Sequence, residues 1–260
     1  MDELVVPAAL GRNRKRDQEA NLDGAVWLMG HMAEHIGVRD LGDLDVLDFG
    51  CGVRFTQAIV NRGVPIKRYV GVDVSQDVIN FLRSSVTDPR CEYFHLDANN
   101  ELYNPTGQPL SELTVPEIEG QRFDLICLFS VFTHLVPADY AAMLRLLHRF
   151  VKPEGRLFYT LFINELTEGG HGYIDRYAER LKDTLTAAPD DPRLTEAILA
   201  KGAEPPDFED VDPSMPLRVA MYSRRHALEL IDGTGWTVLE VAPPDVHLQH
   251  HIVCEPSNVG

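Results

Sequence analysis

Apolar residues recur at helical spacing at Leu22, Val26, Met29, Ala33 and Ile36, which predicts a first helix stopped by Gly37. Beyond it the pattern changes to short apolar runs alternating with amphipathic stretches. Residues 45–49 (DVLDF) predict a buried strand, followed by a glycine turn and a helix over 56–61. Residues 68–74 (RYVGVDV) predict a second strand, with a helix through Val78, Ile79 and Leu82 behind it. Residues 92–96 (EYFHL) are a third. Residues 123–129 (FDLICLF) are a fourth, apolar almost without interruption, as a strand covered on both faces must be. A helix over 140–151 carries Leu144, Leu147 and Val151 on one face. Pro153-Glu154-Gly155 then reads as a turn into a fifth strand, 156–163 (RLFYTLFI). The chain closes with a helix over 223–232, a strand over 236–241 and a strand over 251–254. The alternation predicts an α/β fold with a doubly wound, mostly parallel sheet.

Two stretches interrupt the rhythm. Residues 100–121 hold three prolines and read as an inserted loop. Residues 164–216 are a longer insertion, helical in pattern over 173–185 and loop-like in the Pro- and Asp-rich 205–216 (PPDFEDVDPSMP). Long insertions in compact domains are commonly lids or substrate-binding segments. The expected organisation is a tail over 1–21 and a single domain over 22–260. The basic cluster Arg12, Arg14, Lys15 and Arg16 in the tail reads as a solvated helix start or arm; its sharper alternative is a flap over an anionic ligand.

Composition narrows the partners. The 260 residues carry a net charge of −16. That charge opposes nucleic acid, whose binding relies on Lys and Arg neutralising phosphates, and it opposes an anionic membrane surface. A small-molecule partner is the expectation. The four cysteines, Cys51, Cys91, Cys127 and Cys254, are widely spaced and read as free thiols in a reducing, cytoplasmic setting. The N-terminus lacks the apolar run of a signal peptide, and no run approaches a membrane span.

The strongest chemical signal is V-L-D-F-G-C-G at 46–52. Its glycines let the backbone turn sharply and approach a ligand at the carboxyl end of the first strand. Asp73 closes the second strand, where a carboxylate can accept hydrogen bonds from both hydroxyls of a ribose. Asp97 follows the third.

In order and spacing, VLDFGCG, YVGVDVSQDVI, FHLDAN, FDLICLFSVFTHL and LHRFVKPEGRLFYT resemble the class I S-adenosylmethionine-dependent methyltransferases, from about residue 45 to 163. The resemblance implies a seven-stranded Rossmann-like sheet with an antiparallel last strand, and S-adenosylmethionine as cofactor. It implies that Asp48, Gly50, Cys51 and Gly52 surround the methionine part and that Asp73, with Val74 behind it, binds the ribose. Asp97 and Ala98 would flank the adenine, and Phe129 and Ser130 would pass beneath the sulfonium. Many relatives carry a third glycine after this turn. Here the run is Gly50-Cys51-Gly52-Val53-Arg54-Phe55, so the loop is expected to be shaped differently.

Methyl transfer to a hydroxyl also needs a base. His134, just after the fourth strand, is the first candidate, and His171, among glycines in the lid, is the weaker one. Trp27, Tyr173 and His250 are candidates for the acceptor pocket, as are Tyr159 and Phe162. His247, His250 and His251 have spacing reminiscent of metal ligands without matching Cys or carboxylates, so no metal is expected there. Glu165, Glu168 and Asp175 would admit Mg²⁺ on a diol acceptor, but solvated acids are the simpler reading. The leading expectation is O-methylation of a small molecule such as a sugar or glycoside. N- or C-methylation, an NAD-dependent dehydrogenase and a non-catalytic cofactor-binding module are the alternatives. A homodimer is compatible with the resemblance.

Overall fold

The computed structural model describes residues 3–10, 18–100, 103–176, 205–211, 214–244 and 249–257. The basic cluster Arg12–Arg16, His247 and most of the helix expected over 173–185 lie outside them. The elements run α1 (Gln18–His35), β1 (Asp45–Phe49), α2 (Arg54–Arg62), β2 (Arg68–Asp73), α3 (Gln76–Ser85), β3 (Cys91–His95), β4 (Phe123–Leu128), α4 (Pro137–His148), β5 (Val151–Ile163), β6 (Phe208–Asp210), β7 (Ala220–Tyr222), α5 (Arg224–Glu229), β8 (Trp236–Ala242) and β9 (His250–Pro256).

β3, β2, β1, β4 and β5 form a parallel sheet in that order, and β9 adds antiparallel to β5 with β8 beyond it. These seven strands are the sheet expected from the sequence. β6 and β7 are an additional hairpin that joins the far end of β5 through Phe162 and Ile163. The Pro- and Asp-rich stretch read as loop therefore contains a strand. Phe208 turns it inward, its ring 5.3 Å from that of Tyr222.

Alternation along each strand divides the core. Leu47, Phe49, Val70, Val72, Ile126 and Leu128 face α4 and α5, whereas Val46, Tyr69, Leu125, Cys127 and Phe158 face α1, α2 and α3. Both faces are covered, which is why β4 has no polar alternation. The insertion before β4 belongs to this core: Leu110, Leu113, Val115 and Ile118 are buried against β4 and α4. Its prolines shape turns, while its apolar residues, spaced for neither helix nor strand, still reach the sheet.

Local rules set the boundaries. Gly63 ends α2 at φ 63°. Ser75 caps α3 and Ser223 caps α5, each accepting from a backbone N–H three residues on. α4 begins at Pro137, three residues earlier than apolar spacing suggests, because proline is suited to a first helical position. Pro153-Glu154-Gly155 is not a turn before β5 but a bulge within it, since Val151 pairs with Phe123 and Arg156 with Leu125.

The segment read as a tail is docked where it is described. Leu4 donates its N–H to Asn61 and accepts from Gln57 and Asn61, which ties residues 3–10 to α2. Leu4 and Val6 are buried.

The α4 face is braced by one buried polar pair. The Tyr140 hydroxyl lies 2.7 Å from that of Tyr159 and also donates to Ala227 O at 3.2 Å. Tyr140→Phe leaves Tyr159 without this partner and is expected to lower stability by about 1–2 kcal/mol in urea denaturation, with the fold retained.

Candidate functional site

The carboxyl ends of β1, β2 and β4 meet at one place, and the turn after β1 lies at its centre. Gly50 and Cys51 both donate their N–H groups to Val72 O, at 2.8 and 3.0 Å, which folds the turn back over β2. Gly50 has φ 86° and Gly52 φ 49°. A side chain at Gly50 would put its Cβ 2.5 Å from Val131 Cγ2, so close packing and backbone sign both require glycine. The missing third glycine has a simple structural outcome. α2 starts at Arg54, immediately after Val53, which occupies the N-cap position without a side-chain bond.

Asp73 joins this turn to the next. Buried at 3% exposure, it accepts from Gly52 N through Oδ2 and from Ser75 N through Oδ1, each at 2.8 Å. Asp48 sits beside it, with Tyr69 OH donating at 2.5 Å. Burial and the nearby negative charge of Asp73 push the Asp48 carboxyl up to about 7, against the opposing effect of the Tyr69 hydrogen bond.

Two adjoining cavities open here. The larger, about 660 Å³, is bounded by the β1 turn, Asp48, Asp73, Phe55 and Phe129, and residues 6–10 of the docked N-terminal segment also line it. The smaller slot lies between Val74, Leu96, Ala98, Val131 and His134. Gly50, Asp73, Tyr103 and Ser130 line both.

Ser130 stands at the junction in the left-handed region, with φ 57°. A non-glycine residue there costs on the order of 1 kcal/mol and must be held by its surroundings. Its N–H donates to Thr160 Oγ1 at 2.9 Å, and Gln249 Nε2 donates to its hydroxyl at 2.8 Å. Phe129, on the α1 side, packs edge-on to Phe55 and stacks on Phe158.

The other expected residues divide sharply. His134, in a short 3₁₀ turn, donates Nδ1–H to Leu217 O at 2.9 Å, which leaves its proton-accepting nitrogen as Nε2. Ala98 lines the slot, but the exposed Asp97 side chain turns instead to Asn104 Nδ2 at 3.1 Å and lines neither cavity. His171 also lines neither. It is exposed on a turn closed by Asp175, which accepts from Thr167 and Gly172.

Trp27 is 37% exposed and stacks on His31, and Tyr173 packs on Phe162. His250 is fully buried and bonded to Glu165. None of these three lines either cavity. Tyr159 is core. Glu165, Glu168 and Asp175 do not converge as a metal site would. Burial raises the Glu165 carboxyl, but Arg224 and His250 outweigh it and hold it at about 2.

Sequence reading missed Tyr103, whose placement beside both cavities depends on an aperiodic loop. It also missed His31 and His35, which meet His251 against Phe158. Their four-residue spacing was visible, but α1 was read for its apolar stripe.

A doubly wound α/β protein with a glycine turn after β1, a clamped aspartate after β2 and a cleft across both belongs to the enzymes that hold a nucleotide-like cofactor at the switch point of the sheet. The family model described as Methyltransferase domain matches residues 30–241. The chain belongs to that family and is a class I S-adenosylmethionine-dependent methyltransferase. Among solved structures it is similar to the PH0226 protein of Pyrococcus horikoshii OT3, at 15% identity over 97% of each chain and a TM-score of 0.55. It is similar to the magnesium protoporphyrin IX methyltransferase of Synechocystis PCC 6803, at 13% identity over 95% of this chain and 90% of that one, with a TM-score of 0.53. It is also similar to the 1,6-didemethyltoxoflavin-N1-methyltransferase of Burkholderia thailandensis, at 16% identity over 93% and 80%, with a TM-score of 0.52. At these identities the likeness is one of fold. Among the described residues no helix is long and apolar enough to cross a membrane.

Gly50→Ala combines a positive φ with a clash on Val131. It is expected to cost about 1–3 kcal/mol in urea denaturation and to weaken S-adenosylhomocysteine binding at least ~10-fold by calorimetry. Unchanged affinity would mean that the turn does not contact the cofactor.

Proposed function

We propose that the chain transfers a methyl group to a hydroxyl of a small molecule, with a sugar or glycoside as the acceptor class. The supporting observation is the pinned tautomer of His134: Leu217 O takes the Nδ1 proton, so Nε2 is the basic nitrogen, and the ring lines the smaller slot that adjoins the larger cavity. A hydroxyl needs such a base, whereas a neutral amine does not. The larger cavity adds Asn21, Gln57 and Arg54 to Phe55 and Phe129, and a mixture of polar and aromatic lining suits a sugar-bearing molecule.

The residues present fit the cofactor. The Asp73 carboxylate is buried and fixed by two backbone N–H groups, with lone pairs left for ribose hydroxyls. The bare backbone of Gly50 admits a close neighbour. In this reading the Val74, Ala98 and Val131 slot takes the adenine and the β1 turn the methionine end. Ala98 backbone flanks the base, and Asp97 acts through the loop it holds. The cofactor, when bound, supplies a methyl group activated on sulfur. The protein's part is to align the acceptor oxygen, exclude water and receive the acceptor proton at His134 Nε2. The Nδ1–H to Leu217 bond stabilises the imidazolium so formed.

His134→Ala is expected to lower kcat by about 10²–10⁴-fold while S-adenosylhomocysteine still binds. Full turnover by a variant that binds cofactor normally would remove His134 as the base. Turnover on amines alone across an acceptor panel would favour N-methylation.

Asp48 gives a second prediction. Its folded value of about 7 lies above the ordinary 3.8, so folding favours the protonated form. The cost of a buried carboxylate to stability is absent below 3.8 and fully present above about 7. A cationic methionine end beside Asp48 favours the ionised form. Cofactor binding near pH ~6 is therefore expected to release a proton, and affinity to rise as pH increases toward ~8. Binding heats that do not depend on the ionisation heat of the buffer would contradict this linkage.

A further inference from the structure

We infer that His31, His35 and His251 form a binding site for one divalent transition-metal ion, with zinc the best fit, outside the methyl-transfer cleft. Each offers a ring nitrogen, and the three nitrogens lie within 4.8 Å of one another. His31 Nε2 and His251 Nδ1 are already 2.7 Å apart. Bonds of about 2.0–2.1 Å around a tetrahedral zinc separate ligand nitrogens by roughly 3.4 Å, so small ring rotations reach the required geometry.

Three features make this more than a chance meeting of rings. His31 and His35 are four residues apart on α1, a spacing that aims both imidazoles from one helix face. The third ligand comes from β9, so the site spans helix and sheet. Glu240 Oε2, on β8, lies 2.8 Å from His35 Nδ1. That bond makes Nδ1 the donor and leaves Nε2 for a metal, the arrangement by which carboxylates orient metal-binding histidines. Three imidazoles leave one tetrahedral position for water. Imidazole ligands suit zinc, copper, nickel and iron and do not suit magnesium or calcium.

Phe158 contacts all three rings, with centroids 5.3–6.5 Å away, and is itself stacked on Phe129, which lines the cleft. The ion would brace α1 against β8 and β9 across an aromatic wall from the reacting groups. A net charge of −16 favours a cation further. Trp27 stacks on His31 with ring centroids 4.6 Å apart and reports on the site directly.

The test is metal binding by the chelator-treated full-length protein, read independently of methyl transfer. Zinc titration is expected to give one saturable site per chain, and a Co²⁺-loaded sample the visible absorption of tetrahedral nitrogen coordination. Cu²⁺ should quench Trp27 emission stoichiometrically. His31→Ala and His251→Ala are expected to abolish the site, and Glu240→Gln to weaken it about 10–100-fold. Circular dichroism checks that the variants fold. Should a variant fail to fold, the wild-type stoichiometry and Co²⁺ spectrum decide alone. No saturable binding by the wild-type protein, octahedral Co²⁺ spectra, or zinc affinity unchanged in folded His31→Ala and His251→Ala variants would overturn the proposal.

Discussion

The buried carboxylate of Asp73 fastens two strand ends together. Its two oxygens take the N–H groups of Gly52 and Ser75, one in the turn after β1 and the other in the turn after β2. Charge-assisted bonds of this kind are roughly twice as strong as neutral ones, and here they satisfy an acid that has little access to water. The glycine turn, the first turn of α3 and the floor of both cavities are thereby set by one side chain. Loss of the carboxylate would free all three together.

Fixing one acid there has a cost for its neighbour. Asp48 is drawn into the same dry corner by strand alternation, facing Tyr69 on the α1 side of the sheet. Burial, and after it the nearby charge of Asp73, disfavours the ionised form of Asp48, whose proton is held to about 7. The left-handed Ser130 is a third locally unfavourable element within the same few residues. It is restrained by Thr160 on β5 and Gln249 before β9, so the strain at the β4 end is carried by strands farther along the sheet. Such concentration of unfavourable local choices is expected where a protein prepares a surface for a ligand.

Much of this architecture was legible in the sequence. Short apolar runs and the turns between them located the strands of the central sheet, because a parallel sheet covered on both faces leaves little freedom in composition. Asp73 and the glycine turn were legible because backbone sign and charge placement restrict residue type. Less was legible where contact depends on tertiary placement. Asp97 looked like a ligand residue, yet its side chain is engaged by Asn104 in a loop whose shape apolar spacing does not encode. Trp27 and His250 looked like pocket residues, but Trp27 stacks on His31 one turn along α1 and His250 is bonded to Glu165, far away in sequence. The docking of residues 3–10 rests on Asn61 and Gln57, polar residues on α2 with no periodic signature.

The bond from His134 to Leu217 O joins the loop after β4 to the connection between β6 and β7. Leu217 itself has φ 55°, and Asp210 accepts its N–H at 2.9 Å, so the carbonyl is aimed by the β6–β7 hairpin. The insertion is therefore not an exchangeable cassette. Replacing residues 164–216 by a relative's segment would also release the carbonyl that selects the imidazole tautomer, because Asp210 goes with it. A chimera that keeps Asp210, Leu217 and the short hairpin around them preserves that selection.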